Sequence, residues 1–321
     1  MHPPISSNDS MDAVVMENWG GPEVLRVKKA PLPPINSDEI LICVHSAGVS
    51  PFDLHVRDGW YKESYPFPII LGWDLSGVVA AVGSGVSKFR KGDSVFAHCS
   101  VYRNGGAYAQ YTAVKENEAA FKPASISYNQ AAAACMNGLT AWQALFEVSH
   151  LSAGQKILVH AAAGGVGHLA VQLAKWKGAY VIGTASAKNK DFLLDLGVDE
   201  VIDYATRPFE KVVKDVDVVL DTLGNDVLLK SFEVTKKGGI VVSIVDFERI
   251  KQAANFGVRG ENLVVTPNSH QLSEIGKLLS ESKIKVHIAA VFSLKDAAKA
   301  HHFIQSGHTR GKVILEINGD F

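Results

Sequence analysis

The sequence predicts an α/β protein with two domains, and two changes of pattern along the chain support this. In the first third, short apolar runs alternate with glycine- and proline-rich segments, which is typical of a β barrel or sandwich. After about Ser125, strand-like runs alternate with helix-length segments, which predicts a parallel, doubly wound sheet. The length of 321 residues also favours two domains.

The predicted elements follow from apolar runs bounded by turn residues and from helical spacing of apolar positions. The strands of the first part are predicted at Ala13–Met16, Val24–Val27, Ile40–His45, Gly77–Val82, Ser94–Ala97 and Tyr108–Val114. The strands of the second part are predicted at Ile157–Ala161, Tyr180–Thr184, Val201–Asp203, Val216–Asp221 and Ile240–Ile244. The helices between them are predicted at Val166–Lys177, Asn189–Leu196, Pro208–Lys214 and Asp226–Lys236. Two further helices and a closing strand are predicted at Leu272–Ser282, Leu294–Ser306 and Lys312–Ile317.

Composition excludes several classes of protein. With 47% hydrophobic and 20% charged residues, the chain is not a disordered protein, a collagen-like repeat or a coiled coil. The formal net charge of -1 gives no electrostatic footprint for nucleic acid or an anionic membrane, so we expect neither as a partner. No secretion signal or membrane span is expected. Cys43, Cys99 and Cys135 are widely spaced, which excludes a disulfide framework and favours a reducing, cytoplasmic location.

The strongest local signal is a glycine-rich segment between a strand and a helix, KILVHAAAGGVGHLAVQLAKWKGA. This is the context in which a G-x-G-x-x-G pattern binds a dinucleotide, and here the pattern is Ala162, Gly164 and Gly167. Gly164 would let the backbone approach the phosphates, and Gly167 would let helix and strand pack closely. The alternative is a turn whose small residues serve packing alone.

The end of the next predicted strand bears on the choice of cofactor. A site for NAD usually carries an acidic residue about 20 residues beyond the glycines, to bind the ribose 2′-hydroxyl. That position falls at Thr184, and the first acid after it is Asp191. Ser186, Lys188 and Lys190 come first, which favours the 2′-phosphate of NADP(H). The alternative is a solvated helix start that carries two lysines.

Nearly the whole chain resembles the medium-chain dehydrogenase/reductase superfamily, and most closely its zinc-free quinone oxidoreductase branch. The segments that carry the resemblance occur in the expected order: AGVSPFDLHVRDGWY, PIILGWDLSGVVAAVG, FRKGDSVFA, GGAYAQYTAV, NGLTAWQAL, AAAGGVG and HTRGKVILEI. The resemblance implies a GroES-like catalytic domain over residues 1–125, completed by 266–321, and a Rossmann domain over 126–265. It also implies a homodimer.

The resemblance raises the question of a metal, because zinc alcohol dehydrogenases of this family carry a Cys in a CGxCH-type segment and a His in a GHE segment. The corresponding positions here are Ser50 and Trp73. A hydroxyl and an indole do not replace a thiolate and an imidazole on zinc, so we expect no metal. A site without a metal favours conjugated acceptors, such as quinones and α,β-unsaturated carbonyls, because conjugation spreads the incoming charge.

Two residues are candidates for catalysis on the strength of the resemblance. Tyr61 matches a tyrosine of the family's R-x-G-x-Y segment (Arg57, Gly59, Tyr61), which implies a phenol beside the carbonyl oxygen of the substrate. The alternative for Tyr61 is an aromatic side chain in a surface loop. Ser50 stands where quinone oxidoreductases often have Asn. Asp53 is expected to be a turn or capping residue rather than a proton donor.

The resemblance also implies a set of cofactor-binding residues for NADP(H). They are Asn137, Thr140, Ala162, Gly164, Gly165, Val166, Gly167, Ser186, Lys190, Tyr204, Ser243, Val245 and Arg310. Within this set, Ser186, Lys190 and Tyr204 resemble residues that hold the adenosine 2′-phosphate. Thr140 is alternatively an ordinary helix residue, and Arg310 a solvated loop cation.

Three functions follow from these observations. The first is NADPH-dependent reduction of quinones or enones by direct hydride transfer. The second is reduction of trans-2-enoyl thioesters on the same fold. The third is a non-catalytic NADPH-binding protein.

Overall fold

The computed structural model describes residues 10–102 and 105–318. The first nine residues, which bear on the expectation that there is no secretion signal, lie outside this range. The chain forms two compact units. The first takes the described residues up to Met136, then Thr266–Ser280, and the chain from His287 onward, and the second takes Asn137–Val265 and Glu281–Val286.

The division between the units falls later in the chain than the expected boundary at residue 125. The first half of a helix, α2 (Tyr128–Trp142), is tied to the first unit because Ser76 Oγ donates to the Tyr128 carbonyl oxygen over 2.7 Å. The Cys135 thiol donates to the Leu75 carbonyl oxygen nearby. Residues 281–286 go with the second unit because the Gln172 amide bonds both the N–H and the C=O of Lys285.

The first unit is built on antiparallel strands. Its strands are β1 (Ser10–Met16), β2 (Arg26–Pro31), β3 (Glu39–Val49), β4 (Ile69–Ile70), β5 (Asp74–Val82), β6 (Ser94–His98), β7 (Tyr111–Lys115), β8 (Ala119–Phe121), β15 (Ile288–Ser293) and β16 (Lys312–Glu316). The larger sheet has the order β15-β16-β3-β5-β6-β8, with β7 also paired to β3, and β2-β1-β4 form a smaller sheet. The helices of this unit are α1 (Pro51–Arg57), the start of α2, α7 (Ser269–Ser280) and α8 (Ala297–Gln305).

Strand β3 is the centre of the first unit because it pairs with three neighbours. Ile40 and Ile42 on one face are fully buried, and Leu41 and Cys43 on the other face are each 4% exposed, as expected for a strand that is covered on both faces. Strand β16 comes from the end of the chain and pairs antiparallel with β3, with Val313 opposite Val49. The C-terminal segment therefore completes the sheet of the N-terminal part.

The second unit is a parallel sheet with helices in the connections. Its strands are β9 (Lys156–Val159), β10 (Tyr180–Ala185), β11 (Glu200–Asp203), β12 (Val216–Asp221), β13 (Thr235–Ser243) and β14 (Arg259–Asn262). Its helices are the end of α2, α3 (Gly167–Trp176), α4 (Lys190–Asp195), α5 (Phe209–Val212) and α6 (Asn225–Val234). The strand order is β11-β10-β9-β12-β13-β14, with every pair parallel, which is the Rossmann order.

The order of these strands reverses at β9, which lies between β10 and β12. Ligands of open α/β sheets bind beyond the carboxyl ends of the strands at such a switch point. The core beneath it is a cluster of buried apolar side chains from the strands and α6, including Leu158, Val219 and Leu228. No helix within the described residues is long and apolar enough to cross a membrane.

A buried histidine joins three elements of the second unit directly below the switch point. His160 follows β9, and its Nε2 lies 2.9 Å from the Ser231 hydroxyl of α6, while its Nδ1 lies 3.0 Å from the Thr184 hydroxyl of β10. Since the Ser231 hydroxyl donates to the Val227 carbonyl oxygen, Nε2 donates to Ser231. Burial lowers the pKa of His160 to about 3, so the ring is neutral at pH 7 and its Nδ1 accepts from Thr184.

This arrangement predicts acid sensitivity of the second unit. In the unfolded chain His160 binds a proton below its ordinary pKa of 6.5, whereas in the folded chain it does so only below a pKa of about 3. The free energy of unfolding should therefore decrease as the pH is lowered from 6.5 to about 3. We expect His160→Gln to flatten this dependence by up to about 1.4 kcal/mol per pH unit, with His302→Gln on the exposed face of α8 as the control. Urea unfolding at several pH values would measure both slopes, and equal slopes for the two variants would contradict the prediction.

Candidate active site

The glycine-rich turn at the switch point has a shape that only small residues allow. It connects β9 to α3, which begins at Gly167. A Cβ at Gly167 would overlap the carbonyl oxygen of Ala161 and the backbone of Ala162, which cannot move aside easily. A Cβ at Gly164 would lie 3.1 Å from the Ala161 carbonyl oxygen and 4.0 Å from the Ala161 Cβ. Gly167 is thus required by the packing of the turn, whereas the surroundings of Gly164 are less crowded.

A buried amide next to this turn lacks a partner. Asn137 is 6% exposed, and its Nδ2 makes no hydrogen bond within the described residues. A Cβ at Gly165 would lie 2.8 Å from that nitrogen, so the amide reaches the backbone of the turn. The first N–H groups of an α-helix have no partners inside the helix and attract anions. The glycine-rich turn, the start of α3 and the Asn137 amide therefore fit the pyrophosphate and adjoining groups of a dinucleotide.

The predicted 2′-phosphate residues lie together at the ends of β10 and β11. Ser186 follows β10, and the backbone N–H of Tyr204, which follows β11, bonds the Ala185 carbonyl oxygen at 3.3 Å. Lys190 begins α4 and is exposed. The nearby Asp203 carboxylate accepts hydrogen bonds from Ala205 and Thr206 in its own turn. This edge thus presents an exposed cation together with a serine and a tyrosine.

The turn after β13 is organised by the predicted residue Ser243. Its hydroxyl is fully buried, donates to Asp221 Oδ2 over 2.7 Å and accepts the N–H of Asp246 at 3.0 Å. The Asp221 Oδ1 also accepts the backbone N–H of Gly224, so one carboxylate fixes the turns after both β12 and β13. The side chain of Ser243 therefore shapes the turn, and Val245, which is 47% exposed, and Phe247, which is 42% exposed, are accessible from it.

In the first unit, Ser50 lies within a buried polar cluster. Ser50 precedes α1, and its backbone N–H donates to Asp53 Oδ2 over 2.7 Å, so Asp53 is the capping residue expected from the sequence. The Ser50 hydroxyl accepts a hydrogen bond from Lys312 Nζ at 2.6 Å, and the same Nζ lies 2.7 Å from Asp74 Oδ2. Lys312 was not predicted from the sequence. The only signal for it is a cation at the start of an apolar strand, which is equally typical of a solvated strand end.

Asp74 is a fully buried carboxylate with partners from three other elements. Besides Lys312, its Oδ1 accepts the Met136 N–H at 2.7 Å and lies 3.2 Å from Nδ1 of His98. Burial by itself raises the pKa of Asp74, but the Lys312 cation and His98 outweigh that effect, so the pKa is lowered. The carboxylate is therefore charged at neutral pH and holds Lys312 beside Ser50.

A second chain of hydrogen bonds leads from Asp53 to α8. The Tyr108 hydroxyl hydrogen-bonds Asp53 and lies 3.2 Å from His301 Nε2, while His301 Nδ1 lies 3.1 Å from the Arg57 Nη1. Because arginine only donates, Nδ1 accepts, Nε2 donates to Tyr108, and the Tyr108 proton points to Asp53. Burial lowers the pKa of His301 to about 3, aided by Arg57, and raises that of Asp53 to about 7. This chain joins α1 to α8.

Tyr61 lies in the turn after α1 and is 41% exposed. Its ring centroid is 5.4 Å from that of Phe52, which in turn packs edge-on against the buried Trp73 at 4.8 Å. Tyr65 also packs edge-on against Trp73, with its ring centroid at 5.7 Å. Trp60 is separate from this group and stacks on His55. The Tyr61 phenol thus stands at the open end of an aromatic row, which suits flat conjugated molecules.

The remaining predicted residues lie in a helix and in a loop. Thr140 is buried in α2, and Arg310 is half-buried before β16. No cluster of three or more metal-ligating side chains occurs within residues 10–102 and 105–318. At the position of the family's zinc-binding cysteine, the Ser50 hydroxyl already receives the Lys312 ammonium, and a second cation there would be repelled. The donor set therefore does not fit zinc.

Comparisons with known proteins agree over the full length of the fold. Residues 36–124 match the family model "Alcohol dehydrogenase GroES-like domain", and residues 196–315 match "Zinc-binding dehydrogenase". The NADPH-dependent alkenal/one oxidoreductase, chloroplastic, of Arabidopsis thaliana is 34% identical, over 95% of this chain and 79% of the relative.

Two solved structures are similar throughout. The quinone oxidoreductase from Coxiella burnetii has a TM-score of 0.92 and 35% identity, covering 97% of this chain and 100% of the other. The Escherichia coli quinone oxidoreductase complexed with NADPH has a TM-score of 0.85 and 30% identity, covering 95% and 99%. The chain belongs to the medium-chain dehydrogenase/reductase superfamily and, within it, to the quinone oxidoreductase branch.

Proposed function

We propose that this protein is an NADPH-dependent oxidoreductase that reduces quinones or α,β-unsaturated carbonyls by direct hydride transfer without zinc. The observation that carries the proposal is the unpartnered Asn137 amide against Gly165 of the glycine-rich turn at the switch point. The relatives support it, because one is named an NADPH-dependent alkenal/one oxidoreductase and another is a quinone oxidoreductase complexed with NADPH.

The chain's own residues would divide the work between cofactor and acceptor. When bound, NADPH supplies the hydride. The turn residues Ala162, Gly164, Gly165, Val166 and Gly167 would hold the pyrophosphate, with Asn137 and Thr140 beside it. Val245 and the turn shaped by Ser243 would line the nicotinamide, and Arg310 would reach a phosphate.

At the acceptor, hydroxyl groups would take the part that a metal plays in zinc dehydrogenases. Hydride addition to a conjugated carbonyl places negative charge on oxygen, and a hydrogen-bond donor aimed at that oxygen lowers the barrier. Ser50 and Tyr61 are the proposed donors. Reduction is completed by a proton that reaches the oxygen or the α-carbon from water. The homodimer implied by the family stays a prediction.

The test of this function is oxidation of NADPH with 1,4-benzoquinone, 9,10-phenanthrenequinone and a short enone as acceptors. We expect NADPH-selective turnover with these acceptors that is unchanged by a chelator or by added zinc. Turnover confined to enoyl thioesters would favour the thioester reductase instead. Tight NADPH binding with no turnover of any acceptor would favour a binding protein, and zinc-dependent oxidation of alcohols would overturn the argument from Ser50 and Trp73.

Two glycine variants separate cofactor binding from folding. Gly164→Ala should lower the free energy of unfolding less than Gly167→Ala, because its methyl group lies 3.1 Å from one carbonyl oxygen and does not overlap the backbone, and it should weaken NADPH binding because it stands where the pyrophosphate would approach the turn. Gly167→Ala should lower the thermal unfolding temperature, because its methyl group overlaps backbone. Calorimetric titration and thermal unfolding measure the two effects, and unimpaired NADPH binding by Gly164→Ala would contradict the placement.

Lys190 should determine the preference for NADPH over NADH. A lysine that contacts a phosphate dianion contributes about 1.5–3 kcal/mol as a charged hydrogen bond, so we expect Lys190→Ala to raise the Kd for NADPH by about tenfold or more. The Kd for NADH should stay the same, since NADH lacks the 2′-phosphate. Lys211→Ala, which removes an exposed lysine of α5, is the matched control. An equal loss for both cofactors would count against a 2′-phosphate contact.

A further inference from the structure

The hydrogen bond between Lys312 and Ser50 depends on a built arrangement across three strands. Lys312 starts β16, where the pairing register sets it opposite Ser50, just past the end of β3. Asp74 lies on β5, on the other side of β3, paired with Gly48. The lysine stem must therefore cross β3 to reach Asp74. It does so over Gly48, where a Cβ would lie 2.7 Å from Lys312 Cε and 2.9 Å from Asp74 Cβ.

The hydrogen bond from Lys312 leaves the Ser50 hydroxyl with a proton that it can donate. An ammonium group only donates, so the Ser50 oxygen must accept from Lys312, and its own proton is left to be donated. No described residue accepts a hydrogen bond from the Ser50 hydroxyl, although Ser50 is only 3% exposed. A buried hydroxyl with an unused proton calls for an acceptor from outside the chain.

We propose that Lys312, held by Asp74, is a positioning residue that orients and polarises the Ser50 hydroxyl so that it donates its proton in a hydrogen bond to the carbonyl oxygen of the acceptor. This inference rests on the proposed reductase function. A hydroxyl that accepts from a cation becomes a stronger donor, because linked hydrogen bonds polarise one another in a medium of low dielectric constant. Charge that develops on the substrate oxygen is then stabilised through Ser50 by the Lys312 cation.

Asp74 stabilises the buried Lys312 cation beside Ser50. Lys312 is 3% exposed, and a buried ammonium without a counter-ion is strongly unfavourable. The Asp74 carboxylate supplies that counter-ion, and its other oxygen is held by Met136 and His98. The ammonium group therefore lies between the Asp74 carboxylate and the Ser50 hydroxyl. Of these two partners, only Ser50 has a proton of its own that it can donate in a further hydrogen bond.

A double-mutant cycle on turnover tests the inference. Ser50→Ala and Lys312→Met should each lower kcat/KM for a short enone about tenfold, mainly through kcat, and the double variant should be no worse than Ser50→Ala alone. Ser50→Thr keeps the hydroxyl and should restore most of the activity. The losses should be smaller for 1,4-benzoquinone, because it spreads the incoming charge further. Lys28→Met, which breaks an exposed ion pair with Glu17 in the same unit, is the control for charge loss.

A double variant that removes both charges separates effects on folding from effects on catalysis. Lys312→Met alone leaves the buried Asp74 without its cation, so the cycle is repeated with Asp74→Asn/Lys312→Met, which removes both charges. If the loss caused by the Lys312 change is the same with and without Ser50, or if Ser50→Ala has no effect, the inference is overturned while the reductase function stands. If the unaltered protein turns over no acceptor, the proposed function fails first and the inference fails with it.

Discussion

The first unit depends on the requirement that the buried Asp74 carboxylate be paired. Removing the partner of a buried charge costs about 3–5 kcal/mol, so the chain must bring donors to this point. They come from places far apart in the sequence: Lys312 near the C-terminus, His98 on β6, and the Met136 N–H in the first half of α2. One carboxylate thus ties the last strand and the start of α2 to the N-terminal sheet. This accounts for the division of the chain after Met136, and for the return of β16 to β3.

The second unit is under a different constraint at its switch point. A cofactor site there needs unpaired hydrogen-bond donors, and the sheet next to it must stay stable. His160 meets the structural part, because its neutral ring bonds β10 and α6 under the turn. Asp221 does the same for the turns after β12 and β13, through Ser243 and Gly224. Because these hydrogen bonds fix the strands and turns around the glycine-rich turn, its glycines have different parts: Gly167 is required for packing, and Gly164 is less crowded.

Sequence reasoning succeeded where the signal is local. The alternation of strands and helices after residue 125 predicted the parallel sheet, and Val216–Asp221 was placed at its observed bounds. Hairpin signals were less accurate: Tyr108–Val114 begins three residues before β7, and Val24–Val27 spans a 3₁₀ turn and the start of β2. Strands β4, β8, β14 and β15 and helices α1 and α2 were not predicted. Strand β15 is only partly buried, and helix α1, at Pro51–Arg57, has barely two turns.

The polar cluster around Ser50 could not be found in this way, because its members are distant in sequence and each is ordinary alone. Lys312 looks like a solvated strand end, Asp74 like a residue after a turn, and Gly48 like a weak position in a strand. Their meaning appears only in the register, which places Lys312 opposite Ser50 and lets its stem cross Gly48 to Asp74. A position where a serine replaces a metal ligand thus holds a cation from the protein itself. In the proposed reductase, a fixed ammonium behind a hydroxyl would stabilise charge on a substrate oxygen less strongly than zinc would, and that strength would suit conjugated acceptors, which need only modest help.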